Sequence, residues 1–492
     1  MSSKNHDPID AEPSAVETTQ SGAEAADAAA PTDWWSTIKQ ALKGSGEQDF
    51  TSGHISRAVV LLAIPMVLEM SMESIFAVVD IFFVTRLGAA AITTVGLTES
   101  VLTVVYAVAV GLCFPLTAMV ARRIGEKNRE GAAVAAVQGI AVSTLIAVGL
   151  GILGAIYAPD ILRLMGGDDE VVSQGASYTR IIMATNVVIF LLFLNNAIFR
   201  GAGDAAIALR ALMLANAINI VLDPCLIFGL GPFPEMGITG AAVATSIGRG
   251  IGVAYQLWRL TDGTGRIVLR RRHLKMVPEV MVRLVRLSFG GIGQNLIATA
   301  SWIALVRIIA TFGTTAVAGY TIGVRVIIFA LLPAWGLANA AATLVGQNLG
   351  AKKPDRAERS VYVAGWFNMA FLGSVTLIFL FAPQAVVGIF APPPEVFSIA
   401  VACLRIIAFG YVFYAWEMVT IQAFNGAGDT LTPTWINFGC FWLLQIPLAW
   451  ALAIPGGYGP SGVFAAIAIS YSVSAVVGIL LFRRGRWKMK EV

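Results

Sequence analysis

Histidine is scarce in this chain of 492 residues: only His6, His54 and His273 occur, all outside its apolar runs. That distribution excludes a histidine proton relay within a membrane. Cysteine is scarce as well. Cys113, Cys225, Cys403 and Cys440 lie singly in or beside apolar segments with no C-x-x-C spacing, so buried structural thiols are expected. Charge is the largest deficit, at 13% of residues against roughly 25% in soluble domains. The net charge of +4 does not point to nucleic acid, because the basic residues sit between apolar runs and topology accounts for them. No basic segment precedes an early apolar core, so no cleavable signal peptide is expected.

What is present is hydrocarbon. Apolar residues make up 57% of the chain and the mean hydropathy is +0.75, which places it in a lipid bilayer. From Arg57 onward, segments near the roughly 20 residues needed to cross a bilayer repeat twelve times. They are predicted at 58–85, 89–120, 131–157, 173–198, 206–229, 237–258, 285–311, 315–348, 360–382, 397–423, 433–455 and 461–482. Ahead of them, residues 1–56 form a tail that is rich in Ala, Ser, Glu and Asp over 1–30 and reads as disordered. Within it, 33–43 carries Trp34, Trp35, Ile38, Ala41 and Leu42 at helical spacing, the pattern of a helix lying at a membrane surface.

One set of connections, with the C-terminal tail 483–492, holds twenty-three Lys and Arg, Arg200 and Arg210 among them; the opposite set holds Arg86 and Arg163. Short cytoplasmic loops retain Lys and Arg, so both termini are expected inside the cell membrane. The layout is then a first lobe at 57–258, a linker at 259–284 and a second lobe at 285–482. The linker run Arg270-Arg271-Arg272-His273-Leu274-Lys275 suits an anchor on anionic headgroups.

The two lobes repeat. Shifted by 225 positions, Phe199-Arg200-Gly201-Ala202-Gly203-Asp204 falls on Phe424-Asn425-Gly426-Ala427-Gly428-Asp429, Gly88 on Gly313, Gly125 on Gly350 and Lys127 on Lys352. Six spans per copy is an even number, so both copies enter from the same side. The fold class is therefore an all-α membrane protein of twelve helices in two parallel six-helix lobes, related by a pseudo-two-fold along the membrane normal. That is a common plan for transporters that work by alternating access.

Carboxylates inside lipid cost about 2.5–3.5 kcal/mol each on insertion scales, so they mark cavities. Glu69, Glu73 and Asp80 share one face of span 1; Glu99 lies in span 2 and Asp223 in span 5. Such a stripe exchanges a proton or Na⁺, because like charges oppose joint ionisation. On span 5, Asn216, Asn219 and Asp223 recur on one face, with Asn196 at the end of span 4. Hard oxygen ligands from Asp, Asn and Thr suit Na⁺, whereas a proton needs only a carboxylate. The second lobe lacks these acids; its main one is Glu417, and with Arg307 and Arg325 it either takes a supporting or substrate-contacting role or Arg307 simply pairs with Glu417. Met70, Phe76 and Tyr411, with Glu69, Glu99, Asn216 and Glu417, are candidates to line a cavity for flat cationic organic compounds. No cofactor is expected beyond the coupling ion, H⁺ or Na⁺, and the partners expected are small organic molecules and lipid, with the protein a monomer.

Val79-Asp80, the doubled Gly-Ala-Gly-Asp loop, Asn219-Ile220-Val221-Leu222-Asp223-Pro224 and Gly346-Gln347-Asn348-Leu349-Gly350-Ala351 together resemble the multidrug and toxic compound extrusion (MATE) family over residues 57–482. The resemblance is closest to its prokaryotic DinF-like branch. It implies antiport of organic, often cationic, compounds against H⁺ or Na⁺, and a first-lobe cation site at Asp80, Asn219 and Asp223, with Asn196 and Thr245. It further implies a bend of span 1 at Pro65. Two departures stand out: Ala298 replaces the span 7 glutamate of the NorM-like branch, and Glu73 adds a charge where a neutral residue is expected. A flippase for lipid-linked sugars on the same scaffold would need a basic cavity, and the first lobe reads as acidic. A lipid-phosphate enzyme would need Asp168-Asp169-Glu170 to hold Mg²⁺, and a solvated turn is the simpler account.

Overall fold

The computed structural model describes residues 34–44 and 48–492; the expected disorder over 1–30 lies outside them. Twelve spans follow in chain order: Ile55–Val84, Ala89–Gly125, Arg129–Ile156, Asp169–Ala184 with Asn186–Ala202, Ala205–Phe228, Ile238–Thr261, Pro278–Ala310, Thr314–Gly350, Pro354–Phe381, Pro394–Ala408 with Tyr411–Ala427, Leu431–Ala453, and Pro460–Arg483. No strand occurs among the described residues. Span 6, Ile238–Thr261, is the one that falls short of membrane-spanning hydropathy. It carries Thr245, Ser246, Arg249 and Gln256, a composition that suits a face turned to the protein interior.

Spans 4 and 10 are not the continuous helices that their apolar runs suggest. The first bends by 41° and the second by 60°. At the first break the Thr185 hydroxyl donates to the Ile181 carbonyl at 2.8 Å and lies 2.8 Å from Ser246 Oγ, offering the backbone an alternative to the helix ladder. At the second, Gly410 packs directly on Ala468, where a Cβ would come within 3.0 Å of its backbone. Span 11 widens into a π-helix over Phe438–Gln445, a departure that periodicity does not signal and that recurs at functional sites.

The repeat is visible in backbone detail. Spans 2 and 8 each contain 37 residues and spans 3 and 9 each contain 28. The left-handed residues pair as well: Lys127 at φ 59° with Lys352 at 58°, and Gly203 at 87° with Gly428 at 86°. Each of these glycines closes a bent span by donating its N–H back to the last turn, where a side chain would be strained.

The lobes join at the end that carries both described termini. Gly111 meets Gly291 and Ile292, Gly336 meets Met66 and Val67, and Gly125 and Gly350 pack on the Gln347 and Arg122 carbonyls. Across the same seam Thr343 Oγ1 donates to the Arg200 carbonyl at 3.0 Å and Gln347 Nε2 to the Gly201 carbonyl at 2.9 Å. The flanking segments cross it too. The Thr51 carbonyl accepts from Lys353 at 2.8 Å and the Lys490 carbonyl accepts from Arg122 at 2.7 Å. Gly125→Val should drive a side chain into this seam and cost about 1–3 kcal/mol. A melting temperature unchanged from the parent would contradict the close approach.

Burial alone would raise the pKa of Asp49, but hydrogen bonds from the Thr51 hydroxyl and amide, with Lys127 and Lys353 nearby, hold it below the usual aspartate value. The stability it lends is present above its unfolded value and is lost as pH falls through the folded one. Asp49→Asn should therefore flatten the acid limb of melting temperature against pH.

The linker is shorter than expected, because span 6 reaches Thr261 and span 7 begins at Pro278. Its basic run is partly engaged within the protein: His273 is buried with Nε2 2.6 Å from a Glu130 carboxylate oxygen, and Arg272 pairs with the same carboxylate.

Candidate transport cavity

Span 1 runs unbroken through Pro65, so the stripe expected on it holds along its length and turns to the interior. Glu73, Phe76 and Asp80 line a cavity of about 410 Å³ between the lobes, together with Met70, Glu99, Tyr106, Arg200 and Arg249 from the first lobe. Trp335, Asn339, Gln422 and Asn425 form the wall from the second. Gln422 donates to Asn339, and Asn425 donates to Gln422 at 2.8 Å, so that wall is a connected amide surface.

Glu69 is the innermost acid and is 1% exposed. Its Oε1 accepts from Asn196 Nδ2 at 2.8 Å and from Arg200 Nη1 at 2.8 Å. Asn196 in turn accepts from Gln256 Nε2 at 2.5 Å. Asn196, expected beside Asp223, is thus engaged at Glu69. Arg200, expected in a cytoplasmic connection, lies buried in the last turn of span 4. The two are one helical turn apart and face the same way, and the guanidinium is what makes a fully buried carboxylate tolerable.

Glu73 has a partner on another helix. Arg249, from the middle of span 6, donates Nη2 to Glu73 Oε1 at 3.1 Å and stacks its guanidinium over Phe76 at 4.8 Å. An arginine set between two glycines in the middle of the span, Gly248-Arg249-Gly250, was the available signal. The first lobe is therefore not the plain acidic surface expected of it; Glu69 and Glu73 each hold a resident arginine.

Asp80 lies two turns further along the stripe, within electrostatic range of Glu99, Arg249 and Asp223. On span 5, Asn219 Nδ2 donates to Asp223 Oδ1 at 3.1 Å and to Thr245 Oγ1 at 3.3 Å. Asp223 Oδ2 and Asn219 Oδ1 are buried with no hydrogen-bond donor. Two orphaned oxygens beside a threonine hydroxyl fit a proton or a hard cation. Asn216 instead donates to the Met72 carbonyl at 3.0 Å and ties span 5 to span 1.

In the second lobe, Tyr411 lines a separate cavity of about 390 Å³, walled by Trp302, Tyr320, Trp335, Tyr414 and Tyr471. Glu417 is buried and accepts from Ser474 Oγ at 3.4 Å. Arg307 is exposed on the same lobe, so of the two readings of it the pairing with Glu417 is not formed. The Asp168-Asp169-Glu170 cluster is a helix start: Asp168 caps the Val171 amide at 2.9 Å and the next two acids fill the first turn.

Two parallel bundles around a charged cavity, closed at one end by small-residue packing, define a multi-span membrane transporter rather than an enzyme. The MatE family model matches residues 65–225 and again 292–451, one match per lobe. The chain belongs to the MatE family. A probable multidrug resistance protein of Bacillus subtilis, YoeA, is 27% identical over 441 residues, covering 89% of this chain and 95% of the relative. The crystal structure of MATE in complex with MaL6 superposes with a TM-score of 0.84 at 25% identity, covering 90% of this chain and 99% of that one. A Pyrococcus furiosus transporter of the MOP superfamily, described as having a binding pocket of reverse polarity, superposes with a TM-score of 0.82 at 26% identity, over 90% and 98%.

Proposed function

We infer that the protein exports organic, cationic or amphiphilic compounds across the cell membrane in exchange for H⁺ or Na⁺, with both termini cytoplasmic. The observation that carries this reading is the pair of donor-less oxygens on Asp223 and Asn219, in electrostatic range of Asp80, which itself lines the cavity. In this reading the closed end is cytoplasmic and the cavity faces outward. A cation entering from outside neutralises Asp80 and Asp223, which removes their mutual repulsion and lets span 1 draw toward span 5. Cargo is displaced as that wall moves, and the lobes rock to the other state. The multidrug designation of the B. subtilis relative supports the choice of cargo. Arg200 and Arg249 do not favour a flippase for lipid-linked sugars, since each is held by a glutamate while Asp80 and Glu99 remain.

The test is ethidium efflux from proteoliposomes under separately imposed pH and Na⁺ gradients. Efflux should follow one of the two gradients. Equal rates with and without both gradients would reject the reading.

A further inference from the structure

Residues 48–52 lead into span 1 and lie across the closed end of the seam between the lobes. Asp49 Oδ1 accepts from the Thr51 amide at 2.8 Å and from the Thr51 hydroxyl at 2.6 Å, which fixes the segment as a tight turn. On the first-lobe side Phe50 is 1% exposed. Its ring covers Gly203, where a Cβ would come within 2.7 Å of it, and lies 5.0 Å under the Arg266 guanidinium. Arg266 donates to the Ala202 carbonyl at 3.0 Å and to the Gln48 carbonyl at 2.6 Å. The turn is therefore seated on the first lobe. Its next two carbonyls face the other lobe, where Lys353 Nζ donates to Thr51 at 2.8 Å and Arg356 Nη2 to Ser52 at 2.7 Å.

The C-terminal tail repeats this arrangement with the lobes exchanged. Val492 covers Gly428, the counterpart of Gly203, where a Cβ would come within 2.8 Å of it. Lys490 Nζ lies 3.3 Å from Asp429 Oδ1, as Arg266 Nε lies 3.6 Å from Asp204 Oδ1. Trp487 is buried and stacks on Phe482 at 4.7 Å, so the tail is seated on the second lobe. The Lys490 carbonyl then accepts from Arg122 of the first lobe at 2.7 Å. Each crossing bond joins a cationic side chain to a backbone carbonyl, a strong link that water can still replace at an exposed rim. None of them survives a separation of the lobes at this end. We propose that residues 48–52 and the C-terminal tail are reciprocal latches that hold the terminal end shut and bias the transporter toward the state seen here. The proposal rests on the rocking of the lobes in the reading above and adds a brake to it.

Nitroxide labels at Thr261 and Arg483, exposed at matching ends of spans 6 and 12, report the separation of the lobes here. The measurement is double electron–electron resonance on the full chain in lipid nanodiscs, with the four native cysteines replaced by alanine and no ion gradient or dye. Lys353→Met combined with Arg356→Met removes the second-lobe donors of one latch, and Phe50→Ala unseats the same latch from the first lobe. Both should raise the population at the longer distance at least threefold, and Arg122→Met should do so through the tail. An unchanged distribution in Arg122→Met or in the Lys353/Arg356 variant overturns the proposal. A shift confined to Phe50→Ala also overturns it, because that pattern belongs to loosened packing within the first lobe. The distance is read without ions or cargo, so a result against the latches leaves ion-coupled efflux intact. Efflux that follows neither gradient would, in turn, leave the distances to decide the latches.

Discussion

Asp80→Asn is expected to reduce gradient-driven ethidium efflux to the rate of empty liposomes while leaving the protein folded and inserted. The substitution keeps size and hydrogen-bonding capacity but removes the charge that a coupling cation must neutralise. Asp80 forms no ion pair with a described residue, unlike Glu69 and Glu73, which have Arg200 and Arg249. Deleting its charge therefore leaves no cation stranded, and stability should change little. Asp223→Asn should behave alike, since Asp80 and Asp223 act on each other electrostatically. Efflux at the parental rate in Asp80→Asn would remove that residue from the mechanism.

Arg200→Met is expected to have the largest effect on stability. The Glu69 carboxylate it pairs with is 1% exposed, and the link is a 2.8 Å hydrogen bond as well as an ion pair. Removing one partner of a buried pair costs about 3–5 kcal/mol, because the remaining charge is desolvated without compensation. Asn196 still donates to Glu69, but a neutral amide does not balance a full charge. The double variant Glu69→Gln with Arg200→Met should recover much of the loss. Melting temperatures of the two singles and the double, in one detergent, give the coupling directly. A double variant no more stable than Arg200→Met would contradict the pairing.

The parts of the fold that hydropathy and the repeat control were legible before any coordinates. Span positions, their number and the parallel lobes follow from apolar runs and from glycines that recur because the backbone needs a left-handed turn at both Gly203 and Gly428. The breaks at Thr185 and Gly410 were not legible, because the partners that stabilise them, Ser246 and Ala468, are remote in sequence. The same limit applies to the site. Helical spacing put Glu69, Glu73 and Asp80 on one face, but one helix does not reveal which neighbour supplies a counter-ion. Arg200 was counted with a connection because it sits at a span end, and burial there depends on Glu69 from a different helix. Arg249 was readable from its own span, since an arginine at mid-span between two glycines has few reasons to be there other than a carboxylate across the interface. Asn196 and Asn216 were placed correctly by helix but not by partner, a difference that turns on contacts with spans 1 and 6.

Exchange itself is most directly tested by recording ion and dye movement in the same vesicles, with ethidium supplied as the only gradient. Flow of dye down its gradient should drive H⁺ or Na⁺ in the opposite direction, followed by an internal pH dye or by radiolabelled sodium, and Asp80→Asn should abolish both fluxes. Dye movement with no opposing ion flux of either kind would contradict the account.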